Sequence, residues 1–154
     1  MKVLLRTIFT LLIIVKGLFG SSLVFADFTH TLIESPWDLI EFQSMDDIQG
    51  ITRPDSSTQY TLTLSPDGTF LIELACSTLQ GDWQATTAAD THSGQLIFSA
   101  LTSSTPHCEP PYFDEQISKH AQYIRTYFLK DQHLYLSLMA DGGIYILQQV
   151  CGDA

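Results

Sequence analysis

Tyr60-Thr61-Leu62-Thr63-Leu64 alternates with a period of two, and Pro66-Asp67-Gly68 comes one residue later. The first run predicts a strand with one buried face. In the second, Pro presets φ and Gly accepts a left-handed conformation, so the chain reverses there. Phe70, Ile72, Leu74 and Cys76 then recur at alternate positions and share the inward face of the returning strand. A hairpin with one apolar face has to bury that face against further structure. Antiparallel β architecture is therefore the frame into which the rest of the chain must fit.

The other segments fit it. Trp37 to Phe42 reads as a first strand, and the polar stretch Gln43 to Ser57 as a long loop. Asp27 to Pro36 reads as an extended lead-in. Gly81 to Thr86 is predicted as a strand with Trp83 and Ala85 on a common face, Thr87 to Gly94 as a loop, and Gln95 to Leu101 as the next strand. Thr102 to Pro111, stiffened by Pro106, Pro110 and Pro111, is irregular. Phe113, Ile117, Ala121 and Ile124 then recur at three- to four-residue spacing, which predicts a helix of about three turns from Asp114 to Ile124. Arg125–Leu129, His133–Met139 and Ile144–Val150 complete the strands, the last two joined by Asp141-Gly142-Gly143, a strong hairpin signal. The expected fold is mainly β, a small antiparallel meander of about eight strands closing into a barrel or partial barrel with one inserted helix. A sandwich is the runner-up.

Residues 1–26 read as a secretory signal. Lys2 and Arg6 precede the apolar run Thr7–Val15, and Val24-Phe25-Ala26 suits cleavage before Asp27. Lys16 divides the segment into charge-free runs of 9 and 10 residues, short of the roughly 18 a spanning helix needs. No cysteine stands at the cleavage point, so no lipid anchor is expected. The remainder is expected to form one domain, residues 27–154 with a core of 37–150, placed in the periplasm or outside the cell. Three of the seven Lys and Arg residues and none of the 17 acids fall in the leader, so the remainder carries four bases against 17 acids, a formal charge of −13. Phosphate backbones are bound by arrays of Lys and Arg. Nucleic acid and anionic membranes are therefore disfavoured, and a basic partner suits the charge better.

Cys76, Cys108 and Cys151 are too widely spaced for a zinc ribbon or a redox dithiol, and in an exported chain they suggest one structural disulfide. Cys76–Cys108 is the expected pair: the first ends a core strand, and the second sits in a Pro-rich connection that needs an anchor. Cys108–Cys151 is the rival; in the favoured pairing Cys151 is free. His107, Cys108 and Glu109 are consecutive, so their side chains diverge, and no metal or cofactor is expected. No serine stands in a nucleophile elbow and no Ser-x-x-Lys occurs. Asp67, Asp82, Asp131 and Asp141 are read as turn residues. Gly81 is expected to permit close backbone approach, and Trp83 to fill the core.

In order and spacing these pieces resemble the META domain of the heat-inducible HslJ-like bacterial proteins. The resemblance rests on Trp37-Asp38-Leu39, Asp67-Gly68, Cys76, Gly81-Asp82-Trp83, Leu96-Ile97-Phe98 and Thr105-Pro106-His107-Cys108. Asp114–Ile124 and Leu134–Leu147 match the family's helix and closing hairpin, so Trp37 to Val150 is covered. Two departures stand out. Ala75-Cys76-Ser77 replaces the family's Gly-Cys-Asn, and Cys151 lies outside its pattern. The resemblance implies an exported envelope protein linked with stress tolerance or surface roles, without enzymatic activity. The sequence therefore leads to the expectation of a monomeric, non-enzymatic protein acting by contact with an envelope or extracellular protein. The alternatives are a carrier of small apolar ligands and an inhibitor of a basic secreted enzyme such as lysozyme.

Overall fold

The computed structural model describes residues 31–33, 35–46, 48–88 and 92–150. The expected leader, its cleavage point and Cys151 lie outside them. Nine strands succeed one another: β1 (Trp37–Gln43), β2 (Ile51–Thr52), β3 (Thr61–Leu64), β4 (Thr69–Glu73), β5 (Thr78–Thr87), β6 (Ser93–Ser103), β7 (Ile124–Lys130), β8 (His133–Leu138) and β9 (Ile144–Gln149). All neighbours pair antiparallel in the order β2-β1-β3-β4-β5-β6-β7-β8-β9, and β9 pairs back onto β1. Eight strands thus close a barrel, and β2 is an extra edge strand on β1. Closure leaves little free edge, which is how a small β domain avoids edge-to-edge association.

The strand interiors obey the alternation. Leu62, Leu64, Phe70, Ile72, Leu79, Trp83, Leu96, Phe98, Tyr127, Leu134, Leu136, Tyr145 and Leu147 are buried in one cluster. Trp83 pairs with Phe98 across β5 and β6, and its indole N–H donates to the Ser65 carbonyl at 3.0 Å. The turn before β4 is held by Asp67, whose carboxylate accepts from the Thr69 hydroxyl at 2.7 Å and the Thr69 N–H at 3.0 Å. Those bonds, the hydroxyl's first, hold the Asp67 carboxyl below its usual range. Gly68 supplies φ +87° in this turn. Gly143 is under firmer constraint: its φ is +125°, and a Cβ there would sit 2.5 Å from the Gln43 carbonyl oxygen. Asp141 (φ +57°) and Gly142 complete that turn.

Several boundaries differ from expectation, each for a local reason. The lead-in is not extended: residues 31–33 are helical, and Leu32, with 0% exposure, plugs the barrel end while its carbonyl accepts the Trp37 indole N–H at 2.9 Å. The core therefore begins before residue 37. The loop from Gln43 to Ser57 contains β2, because Phe42 and Gln43 pair with Thr52 and Ile51. β5 and β6 run longer than predicted and pair from Leu79–Ser103 to Thr87–Gly94, so the loop between them is short. Asp82 accordingly lies within β5 and not at a turn. The helix α1 spans Tyr112–His120 and passes through a 3-10 turn, Ala121–Tyr123, before β7. Ile124 belongs to the strand: its N–H closes the 3-10 turn onto the Ala121 carbonyl, but its backbone is extended and it pairs with Leu138.

Removing the buried Trp83 indole should leave a cavity between β5 and β6. Trp83→Ala is expected to lose about 3–5 kcal/mol of stability, read as a lowered thermal midpoint. A melt like that of the unchanged protein would place the ring outside the core.

Candidate functional site

The registers fix which strand ends meet. The C-terminal ends of β1, β4, β6 and β8 and the N-terminal ends of β3, β5, β7 and β9 form one rim of the barrel. Helix α1 covers this rim. Asp114 and Glu115 occupy its first turn and Lys119 and His120 its last, the distribution that complements a helix dipole. Phe113, Asp114, Gln116, Ile117 and the succeeding Ala121 are buried.

Asp114 is the centre of the attachment. Its carboxylate, 2% exposed, accepts the Cys76 N–H at 2.9 Å and the Ala75 N–H at 3.2 Å. It also bonds the Tyr60 hydroxyl. Burial first, then that bond and the neighbouring negative charge, raise the Tyr60 pKa. Tyr60 in turn meets the Phe113 ring edge-on at 5.4 Å. The Cys76–Cys108 disulfide, with 5.3 Å between Cα atoms, fastens the connection before the helix to the same β4–β5 turn. The His107 N–H donates to the Cys76 carbonyl at 2.9 Å beside it. At the other end of α1, His120 Nδ1 lies 2.9 Å from the Tyr145 hydroxyl and its ring 5.4 Å from Phe42. Burial holds the His120 pKa below its ordinary 6.5.

Beneath the helix the barrel is almost full. An apolar cavity of about 30 Å³ remains, bounded by Tyr60, Leu62, Phe98, Ile117, Leu136 and Tyr145 among others. That is room for about one water molecule, against roughly 300–1,000 Å³ for a small-molecule pocket. Among the described residues no three His, Cys, Asp or Glu side chains gather to hold a metal. Trp37, Trp83, Phe70 and Phe98 are core residues, Gly81 lets the Ser99 carbonyl and the Phe70 ring approach, and Asp67, Gly68, Asp141, Gly142 and Gly143 shape turns. Of the residues singled out in the sequence, the two cysteines meet at the capped end, and Asp141, Gly142 and Gly143 form the β8–β9 turn on the same rim.

The outside of the same rim is different. Met45, Ile48, Ile51, Tyr123 and Met139 are large, apolar and exposed, Ile48 by 92%. The first three ride on the β1–β2 hairpin. The Met139 N–H donates to the Tyr123 carbonyl at 2.8 Å, and Arg125, at the start of β7, reaches Met139 Sδ at 3.6 Å. The two groups join where Gln43 pairs with Ile144 next to Gly143. Asp46 and Asp141 stand exposed beside them. Sequence reading passes over this set because isolated apolar residues in a polar loop carry no periodic signal. It also passes over Asp114, which looks like an ordinary first-turn acid.

The architecture defines a small closed β-barrel with a pinned helical cap. A search of solved structures finds a DUF4847 family protein from Bacteroides vulgatus ATCC 8482 with this fold: TM-score 0.55, 14% identity, 81% of this chain and 99% of that chain covered. That similarity extends to the fold alone. No protein-family model and no curated protein matches the chain.

The cap generates two expected outcomes. Asp114→Ala strands two backbone donors and a hydroxyl and should lose about 3 kcal/mol or more, with Asp114→Asn intermediate; equal stability of all three proteins in urea would refute the clamp. His120 has a depressed folded pKa, so the unfolded chain binds the proton more readily. Its contribution is present above about pH 6.5 and lost as pH falls through the folded pKa. The thermal midpoint should therefore drop as pH falls below about 6.5, and His120→Gln should flatten that slope.

Proposed function

We propose that this chain is an exported, non-enzymatic protein of the cell envelope that acts through protein contacts made by the apolar rim. The observation that carries the reading is the rim itself. Five of the seven exposed large hydrophobic residues among those described stand at one end of the barrel. Scattered apolar surface needs no explanation, whereas a group rimmed by polar residues marks an interaction site. The export leader and the order of META-like motifs support an envelope role in stress tolerance or surface maintenance. The small interior cavity favours the outer surface over a ligand carried inside. The acid surplus, with Asp46 and Asp141 at the rim, favours a partner whose apolar cleft is flanked by Lys or Arg.

The test is site-specific photo-crosslinking in the native cell. A photoreactive residue at Ile48 should give one discrete protein adduct, and the same residue at Asp82, exposed in the middle of β5 on the barrel wall, should give none. Met139→Asp should weaken the Ile48 adduct. Equal labelling at both positions, or an apolar molecule retained in native mass spectra of the purified protein, would overturn the reading.

A further inference from the structure

At the end of the barrel opposite the rim, a groove of about 550 Å³ runs where β5, β6 and β7 lie side by side. Thr86, Gln95 and Thr126 are consecutive partners across these strands, and all three are exposed. Two ladder positions further along, Ser93 pairs with Phe128, which is 41% exposed. Phe128 pairs in turn with Tyr135 on β8, their ring centroids 5.9 Å apart, and His133 lies at 6.4 Å from Tyr135. The floor is thus a row of hydroxyl and amide side chains beside an aromatic row. No charged side chain lines the groove among the described residues.

We infer that this groove binds a neutral oligosaccharide. A pyranose ring presents C–H groups on its faces and hydroxyls around its edge. It therefore needs an exposed aromatic face next to side chains that both donate and accept hydrogen bonds, which Thr, Ser and Gln do. The volume falls within the range of small-ligand sites. A peptide strand is poorly served, since β5, β6 and β7 are paired to one another along these residues and offer it no free edge. An anionic ligand would find no cation in the lining. Tyr135, tilted 43° to Phe128 on the next strand, continues the aromatic surface just beyond the groove's lining, which favours a chain of sugars over a monosaccharide. This site is separate from the rim and does not rest on the function proposed for it.

The experiment is a ¹⁵N NMR titration of the mature protein with cellotetraose, chitotetraose and maltotetraose at millimolar concentration. At least one sugar should shift the amides of Thr86, Ser93, Gln95, Thr126 and Phe128 and leave Ile48 and Ile51 unmoved. Phe128→Ala should weaken that binding about tenfold with an unchanged thermal midpoint, and Gln95→Leu should weaken it without removing the platform. No shift with any of the three sugars overturns the inference. So do shifts centred on the rim, or an affinity indifferent to Phe128→Ala. A protein adduct from a photoreactive residue at position 128, in the absence of sugar-induced shifts, would assign the groove to a protein instead.

Discussion

The attachment of the helical cap depends on one buried carboxylate. Asp114 stands in the first turn of α1 yet is aimed into the protein, where it receives the Ala75 and Cys76 N–H groups and bonds the Tyr60 hydroxyl. A turn leaving a sheet exposes backbone donors that the ladder no longer uses, and burying them unpaired is costly. The carboxylate removes that cost and ties three elements together. The disulfide acts on the same turn, but chiefly by restricting the unfolded chain. Without Asp114 the bridge would hold the connection near the barrel, but the Ala75 and Cys76 N–H groups would lose their acceptor and the first turn of the helix its polar tie. The two devices do different jobs on adjacent residues.

How far the fold is legible in the sequence depends on which forces are local. Period-two alternation marks β3 and β4 and the inward face of β5, because each inward residue meets the same core. Pro66-Asp67-Gly68 and Asp141-Gly142-Gly143 mark turns through backbone preference alone. Boundaries set by tertiary pairing are not legible in this way. β2 exists because two residues of β1 offer an edge, although nothing in Ile51-Thr52 demands it. The helix stops before Ile124 because Leu138 is waiting for it across the ladder, whereas the three- to four-residue spacing continues through it. Leu32 looks like part of a tail, and only the open barrel end reveals it as a plug.

The site shows the same division. Cys76 is placed inward by parity and Cys108 by the need to anchor a Pro-rich stretch, and the two meet. Asp114 is invisible as a clamp, since charge complementarity with the helix dipole already accounts for an acid in that position. The rim and the groove are assembled across strands from residues far apart in the chain. Thr86, Gln95 and Thr126 become a row only once the β5–β6 and β6–β7 registers are known.

The fold also carries features that oppose pairing of such a surface with itself. Apolar side chains clustered at one end of a barrel would favour association of like copies, and β2 next to them is an edge strand. β2 is only two residues long, and the adjoining Arg53 is drawn back by Glu41 at 2.7 Å. Asp46 and Asp141 border the apolar residues, and the chain beyond residue 26 carries a formal charge of −13. Bringing two copies together rim to rim would place like charges face to face, whereas a basic surface would meet the same rim with attraction. On the function proposed for the rim, the acidity would act selectively, opposing contact between like copies while leaving the apolar group open to a surface of opposite sign.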